Sequence, residues 1–137
     1  MNIRLSSFLL LAGLALLFLV PSTMSDEGPG PQMVLAGSYD TPGHATGVAV
    51  SGDYAYIADG DDGLVVVDVS DPANPTRAGG YDTSGYAQGV AVAGDYAYVA
   101  DGYDGLVVVN VSDPTHPTYA WRYDTSGYAV GVAVAGS

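Results

Sequence analysis

Residues 39–80 read YDTPGHATGVAVSGDYAYIADGDDGLVVVDVSDPANPTRAGG, and residues 81–122 read YDTSGYAQGVAVAGDYAYVADGYDGLVVVNVSDPTHPTYAWR. The two strings agree at 30 of 42 positions without a gap, so the chain is built on a 42-residue unit. Residues 123–137 begin the unit a third time and match residues 81–95 at 13 of 15 positions. A fixed period of this size marks an architecture in which each unit buries its apolar face against its neighbours.

Each unit holds four strand-like runs between turn signals. In the second copy these are Gly89–Ala93, Tyr96–Ala100, Leu106–Val111 and Thr118–Tyr123. The punctuation is Gly94-Asp95, then Asp101-Gly102-Tyr103-Asp104-Gly105, then Ser112-Asp113-Pro114, then Asp124-Thr125-Ser126-Gly127. Gly reaches positive φ without a steric penalty, and Asp hydrogen-bonds nearby backbone, so such pairs turn one strand into the next. Pro114 and Pro117 sit in the third connection, where no ladder donor is required. The first run places Val90 and Val92 on one face and Ala91 and Ala93 on the other; the third is apolar on both faces, as a strand between two packed layers must be.

Four antiparallel strands per repeat, apolar on both sheet faces, predict an all-β, propeller-type fold. It has two complete four-stranded blades, with partial blades at both ends. Solenoid coils are shorter than this unit, and a β-sandwich does not repeat its sequence. Residues 33–39 are expected to form the last strand of a preceding blade, and 131–135 the first strand of a following one. Two blades do not close a ring, since propellers have about four to eight. The reading is either that the natural protein is longer, cut in mid-repeat at Gly136-Ser137, or that several copies close a ring as a homo-oligomer.

Leu64-Val65-Val66-Val67-Asp68 and Leu106-Val107-Val108-Val109-Asn110 resemble the signature of the LVIVD repeat family, and Tyr54–Asp59 and Ser70-Asp71-Pro72 fit the same pattern. The resemblance covers residues 33–137. Val stands in place of Ile in the core motif, and Asn110 in place of the closing Asp. Resemblance to this family implies a propeller-like repeat of an exported or surface protein of bacteria or archaea, most of them without an assigned activity.

Residues 1–25 read as a secretory signal. Arg4 supplies the positive start, Phe8–Val20 is a 13-residue apolar run, and Pro21–Ser25 offers cleavage after Ser22 or Ser25. The run is shorter than the roughly 20 residues of a spanning helix, so insertion of the mature chain in a membrane is not expected; an uncleaved anchor is the alternative. Residues 26–32 form an acidic Gly/Pro linker. The expectation is a secreted or cell-surface protein.

Three Arg, no Lys and 15 acidic residues give a net charge of −12. That field repels phosphate backbones and anionic headgroups, which argues against nucleic acid as a partner. The absence of Cys removes disulfides, thiolate metal sites and cysteine nucleophiles.

Asp59, Asp61 and Asp62 in the first copy, and Asp101 and Asp104 in the second, are weak calcium candidates, because calcium takes six to eight oxygen ligands. The spacing departs from a twelve-residue EF-hand loop, and Tyr103 replaces Asp61. The competing reading is an Asp-Gly hairpin turn. Asp40, Asp82 and Asp124, like Asp71 and Asp113, recur beside Thr or Ser and read as turn caps. His44 and His116 hold unrelated repeat positions and support neither a triad nor a metal site. Asn110-Val111-Ser112 is a glycosylation sequon, though in a strand. The 11 tyrosines pack between blades or form a contact surface, and Trp121, which replaces Gly79, is the candidate for a non-repeated aromatic contact. With no phosphate loop and no nucleophile elbow, the expected function is a non-catalytic module binding a protein or glycan, without a cofactor. The alternative is a piece of a propeller enzyme or calcium-dependent binder whose site lies in other blades.

Overall fold

The computed structural model describes residues 9–12, 15–19 and 30–136. The start of the segment read as a signal, its expected cleavage region at Pro21–Ser25 and most of the acidic linker lie outside the described residues. Among the described residues there is no helix.

The first blade is β4 (Gly47–Ser51), β5 (Tyr54–Ala58), β6 (Leu64–Asp68) and β7 (Thr76–Tyr81). The second is β8 (Gly89–Ala93), β9 (Tyr96–Ala100), β10 (Leu106–Asn110) and β11 (Thr118–Tyr123). Each is a four-stranded antiparallel meander in sequence order. These are the runs anticipated from the repeat, apart from Val111, which follows β10. The first hairpins turn at Gly52-Asp53 and Gly94-Asp95, with φ of +57° and +55° at the glycine, the type II′ position for Gly. Both outer strands carry a bulge opposite Val66/Val67 and Val108/Val109. A bulge adds twist and bends the strand.

The two faces of each sheet do different jobs. Tyr56, Ala58, Leu64 and Val66 of the first blade meet Val90, Ala97, Val99, Val107 and Val109 of the second in one interblade core. The alternate residues Ala55, Ile57, Val65 and Val67 form a separate core with Val69, Tyr39, Ala45 and Val48 on the opposite face. Period-2 alternation thus feeds two cores from one sheet, and Leu64–Val67 are almost fully buried because both sides are covered.

β3 (Met33–Ser38) occupies the place expected of an outer strand of a preceding blade. Its partners are β2 (Ala15–Leu19) and, through β2, β1 (Leu9–Ala12). Within the apolar run read as a signal, Ala15–Leu19 therefore pairs with β3 in the full chain.

The third repeat continues the pattern and then departs from it. Gly102 and Ala129 form a bridge that copies the one between Gly60 and Ala87. A Cβ on Gly47 would lie 3.1 Å from Gly89 Cα, and one on Gly89 3.2 Å from Gly131 Cα, so residue 131 stands in the row formed by the inner strands. Residues 131–136 are nevertheless not a strand. They lack what β4 and β8 have, a second strand of their own blade to complete a ladder.

Candidate functional site

Asp59 and Asp101 are fully buried, unlike ordinary turn aspartates. Asp59 Oδ1 accepts the Thr41 hydroxyl at 2.7 Å, and Oδ2 accepts the Gly43 N–H at 2.9 Å. Asp101 repeats this with the Thr83 hydroxyl and, at 3.1 Å, the Gly85 N–H. Each carboxylate fastens the segment entering its blade to the turn between that blade's second and third strands. The turn closes on itself through Asp59 N–H to Gly63 O at 2.8 Å and Asp101 N–H to Gly105 O at 2.8 Å. Gly63 and Gly105 take φ of +71° and +76°, and a Cβ on either would lie 2.3–2.5 Å from the carbonyl of Tyr81 or Tyr123. Only glycine fits there.

Burial pushes the Asp101 carboxyl above the usual carboxylate range; the Thr83 hydroxyl pulls against it, and Asp104 adds to the rise. Of the other calcium candidates, Asp61 and Asp62 are exposed, and Asp104 accepts from Arg122 Nη1 at 3.1 Å. Both oxygens of Asp59 and of Asp101 thus already receive protein donors. Among the described residues no group of three or more His, Asp or Glu side chains is gathered to hold a metal.

Asp71, Asp82, Asp113 and Asp124 cap turns locally, whereas Asp40 does not, because Pro42 stands where Ser84 and Ser126 supply an N–H. Asp82 and Asp124 accept the N–H of Ser84 and Ser126 at 2.9 Å, and those serines take positive φ. Asp71 and Asp113 accept the N–H two residues on at 3.0 Å. His44 and His116 are exposed, and His116 Nδ1 lies 3.2 Å from Asp113 Oδ2. Asn110 is half-buried in β10, and its Oδ1 accepts both the N–H and the hydroxyl of Ser112, which occupies the sequon in local bonding.

The aromatic residues part company with the repeat symmetry. Tyr56 is 4% exposed in the interblade core, whereas on the second blade all six residues of β11 are exposed. Tyr119, Trp121 and Tyr123 are each more than half exposed. Trp121 and Tyr123, two apart on one strand, stack with centroids 5.9 Å apart and planes 27° apart. Nearby, Tyr128 packs over Gly102 and meets Tyr103 edge-on at 4.7 Å. The Arg122–Asp104 pair is the charged feature beside these rings. A shallow recess of about 220 Å³ between Tyr81, Thr83, Val107, Tyr119 and Arg122 adjoins the strand.

Trp121 is exposed, beside Tyr123, a neighbour that the sequence reading did not name. The Thr41–Asp59 and Thr83–Asp101 pairs were not anticipated as partners. Their signal was present: both members recur with the same separation of 18 residues.

The LVIVD repeat pattern matches residues 42–83 and 84–125, a frame displaced by three residues from the one drawn above. None of the curated proteins or solved structures compared with the chain matches it. The two family matches span all four strands of each blade and cover more than half of the chain, and on that evidence the chain belongs to the LVIVD repeat family.

Proposed function

We propose that this chain is a non-catalytic, exported or cell-surface repeat module that contacts a protein or glycan through the outer strand of its second blade. The observation that carries this reading is the exposed, stacked pair of Trp121 and Tyr123 on the outer face of β11, at the one blade edge where the repeat exchanges glycine for tryptophan; the bulge in β11 turns the exposed Tyr119 to the other face. Large amphipathic rings provide contact area at small entropic cost and are enriched in recognition surfaces. The buried carboxylates of Asp59 and Asp101 recur in both blades and are engaged in holding the turns together, an architectural use. Export rests on the Arg4 and Phe8–Val20 pattern. No helix among the described residues is long and apolar enough to cross a membrane.

Trp121 is the single tryptophan of the sequence, so its fluorescence reports on this face alone. Titration with soluble envelope polysaccharides, and separately with purified surface proteins, should give a saturable blue shift for one class. Tyr123→Ala, which keeps the reporter and removes its stacking partner, should weaken that response. Emission that stays unchanged with both classes would overturn the reading.

A further inference from the structure

Three equivalent positions of the repeat hold Gly37, Gly79 and Trp121. At the first two, the glycine lies against the Pro-containing loop of the blade that follows. A Cβ on Gly37 would sit 2.3 Å from Pro72 O and 3.0 Å from Ala73 O; one on Gly79 would sit 2.5 Å from Pro114 O and 3.0 Å from both Thr115 O and Pro117 Cδ. The obstructing atoms are backbone and a proline ring, which cannot swing aside as a flexible side chain would. This contact is thus part of the joint between consecutive sheets, and it has no room for a single methyl group.

We propose that Trp121 is a stop residue for blade addition: it excludes, from the outer face of the second blade, a further blade of the kind seen here. A third blade with a Ser-Asp-Pro-x-x-Pro loop would bring that loop's carbonyls onto residue 121, where an indole now stands. Three other contacts of the joint are already in place to receive one. Ala129 bridges Gly102, Tyr128 covers Gly102 as Tyr86 covers Gly60, and Gly131 lies against Gly89. Of the positions at which β11 departs from β7, Tyr119 and Arg122 pair with Val109 and Val107 and share their inner face, which leaves Trp121, opposite Val108, as the obstacle on the outer face. The inference concerns which blade can dock, and it stands whether or not the exposed rings bind a partner.

The test lengthens the full chain by a second copy of residues 96–122, with glycine at the copied position of Trp121, placed after Ser137, which completes a third repeat and keeps Trp121 the single tryptophan. It is made with Trp121 and with Trp121→Gly, each beside its unextended parent. Unfolding in urea is followed by circular dichroism. In the Trp121→Gly chain the added blade should join the stack, raising the midpoint over the parent and steepening the transition, because the slope scales with the surface exposed on unfolding. With Trp121 the first two blades should unfold at the parent's midpoint, the added segment melting separately and earlier. Trp121→Ala, which retains a Cβ, should gain less than the glycine substitution. An extended Trp121 chain with the same midpoint rise as the glycine variant would overturn the proposal, as would an extended glycine variant with no rise. Blue-shifted, quencher-protected Trp121 emission in the extended chain would also overturn it.

Discussion

Replacing Gly79 by alanine tests whether the joint between the sheets is as tight as the structure shows. The added methyl group would meet Pro114 O at 2.5 Å, with Thr115 O and Pro117 Cδ both at 3.0 Å. Optimal nonbonded separations are about 3.5–4.0 Å, so the loop must retreat by about 1 Å or the sheets must part. Overpacking of this kind costs about 1–3 kcal/mol. Gly79 does not have a positive φ, so alanine suits its backbone and returns about 0.4–1 kcal/mol by restricting the unfolded chain. The net loss is about 1–2 kcal/mol. With a urea slope of about 1–3 kcal/mol per molar, the midpoint should fall by about 0.5–2 M. Gly127→Ala is the matched control, since nothing lies within 4 Å of its Cβ position and its φ is also not positive. Equilibrium urea unfolding of the full chain and both variants, followed by circular dichroism, measures the difference. A Gly79→Ala chain as stable as Gly127→Ala would show that the interblade joint yields freely, and the reasoning would fail.

Thr83→Val leaves the buried Asp101 Oδ1 without its hydroxyl donor and should cost about 1–3 kcal/mol in the same assay. Leu64→Ala, fully buried in the interblade core, should cost about 2–5 kcal/mol; a loss below about 1 kcal/mol would mean that core is loosely packed. Asp101 has a raised folded pKa, so its contribution is fully present below the unfolded value of about 3.9 and is lost as pH rises through the folded value. Acidification from neutral toward about pH 4 should therefore stabilise the chain through this group, and Asp101→Asn should remove that part of the slope. Asp68 and Asp113, held low by Ser70 and Thr115, act oppositely and only at lower pH, as each falls through its own folded value. Millimolar calcium should leave the melting temperature unmoved, whereas a site filled at 100 times its dissociation constant would add about 2.7 kcal/mol.

Most of the architecture was legible in the 42-residue period. Turn residues at fixed offsets and period-2 apolarity place the four strands of each blade, because both signals act within a few residues of the chain. The apolar third strand announced its burial on both faces in the same way. The acidic turns were ambiguous, since an Asp-Gly-rich loop reads alike as a ligand cradle and as a hairpin turn. The decision lay with Thr41 and Thr83, each 18 residues from its partner aspartate and brought to it only when the sheet folds. The exchange of Gly79 for Trp121 was likewise plain as a difference between copies and silent as to its consequence. By itself the sequence determined the repeat, the strands, the turns and the acidic surface, all of which follow from local chemistry. The tertiary structure alone decided which carboxylates are buried, which tyrosines remain exposed and why position 121 matters, because each depends on what a neighbouring blade places against it.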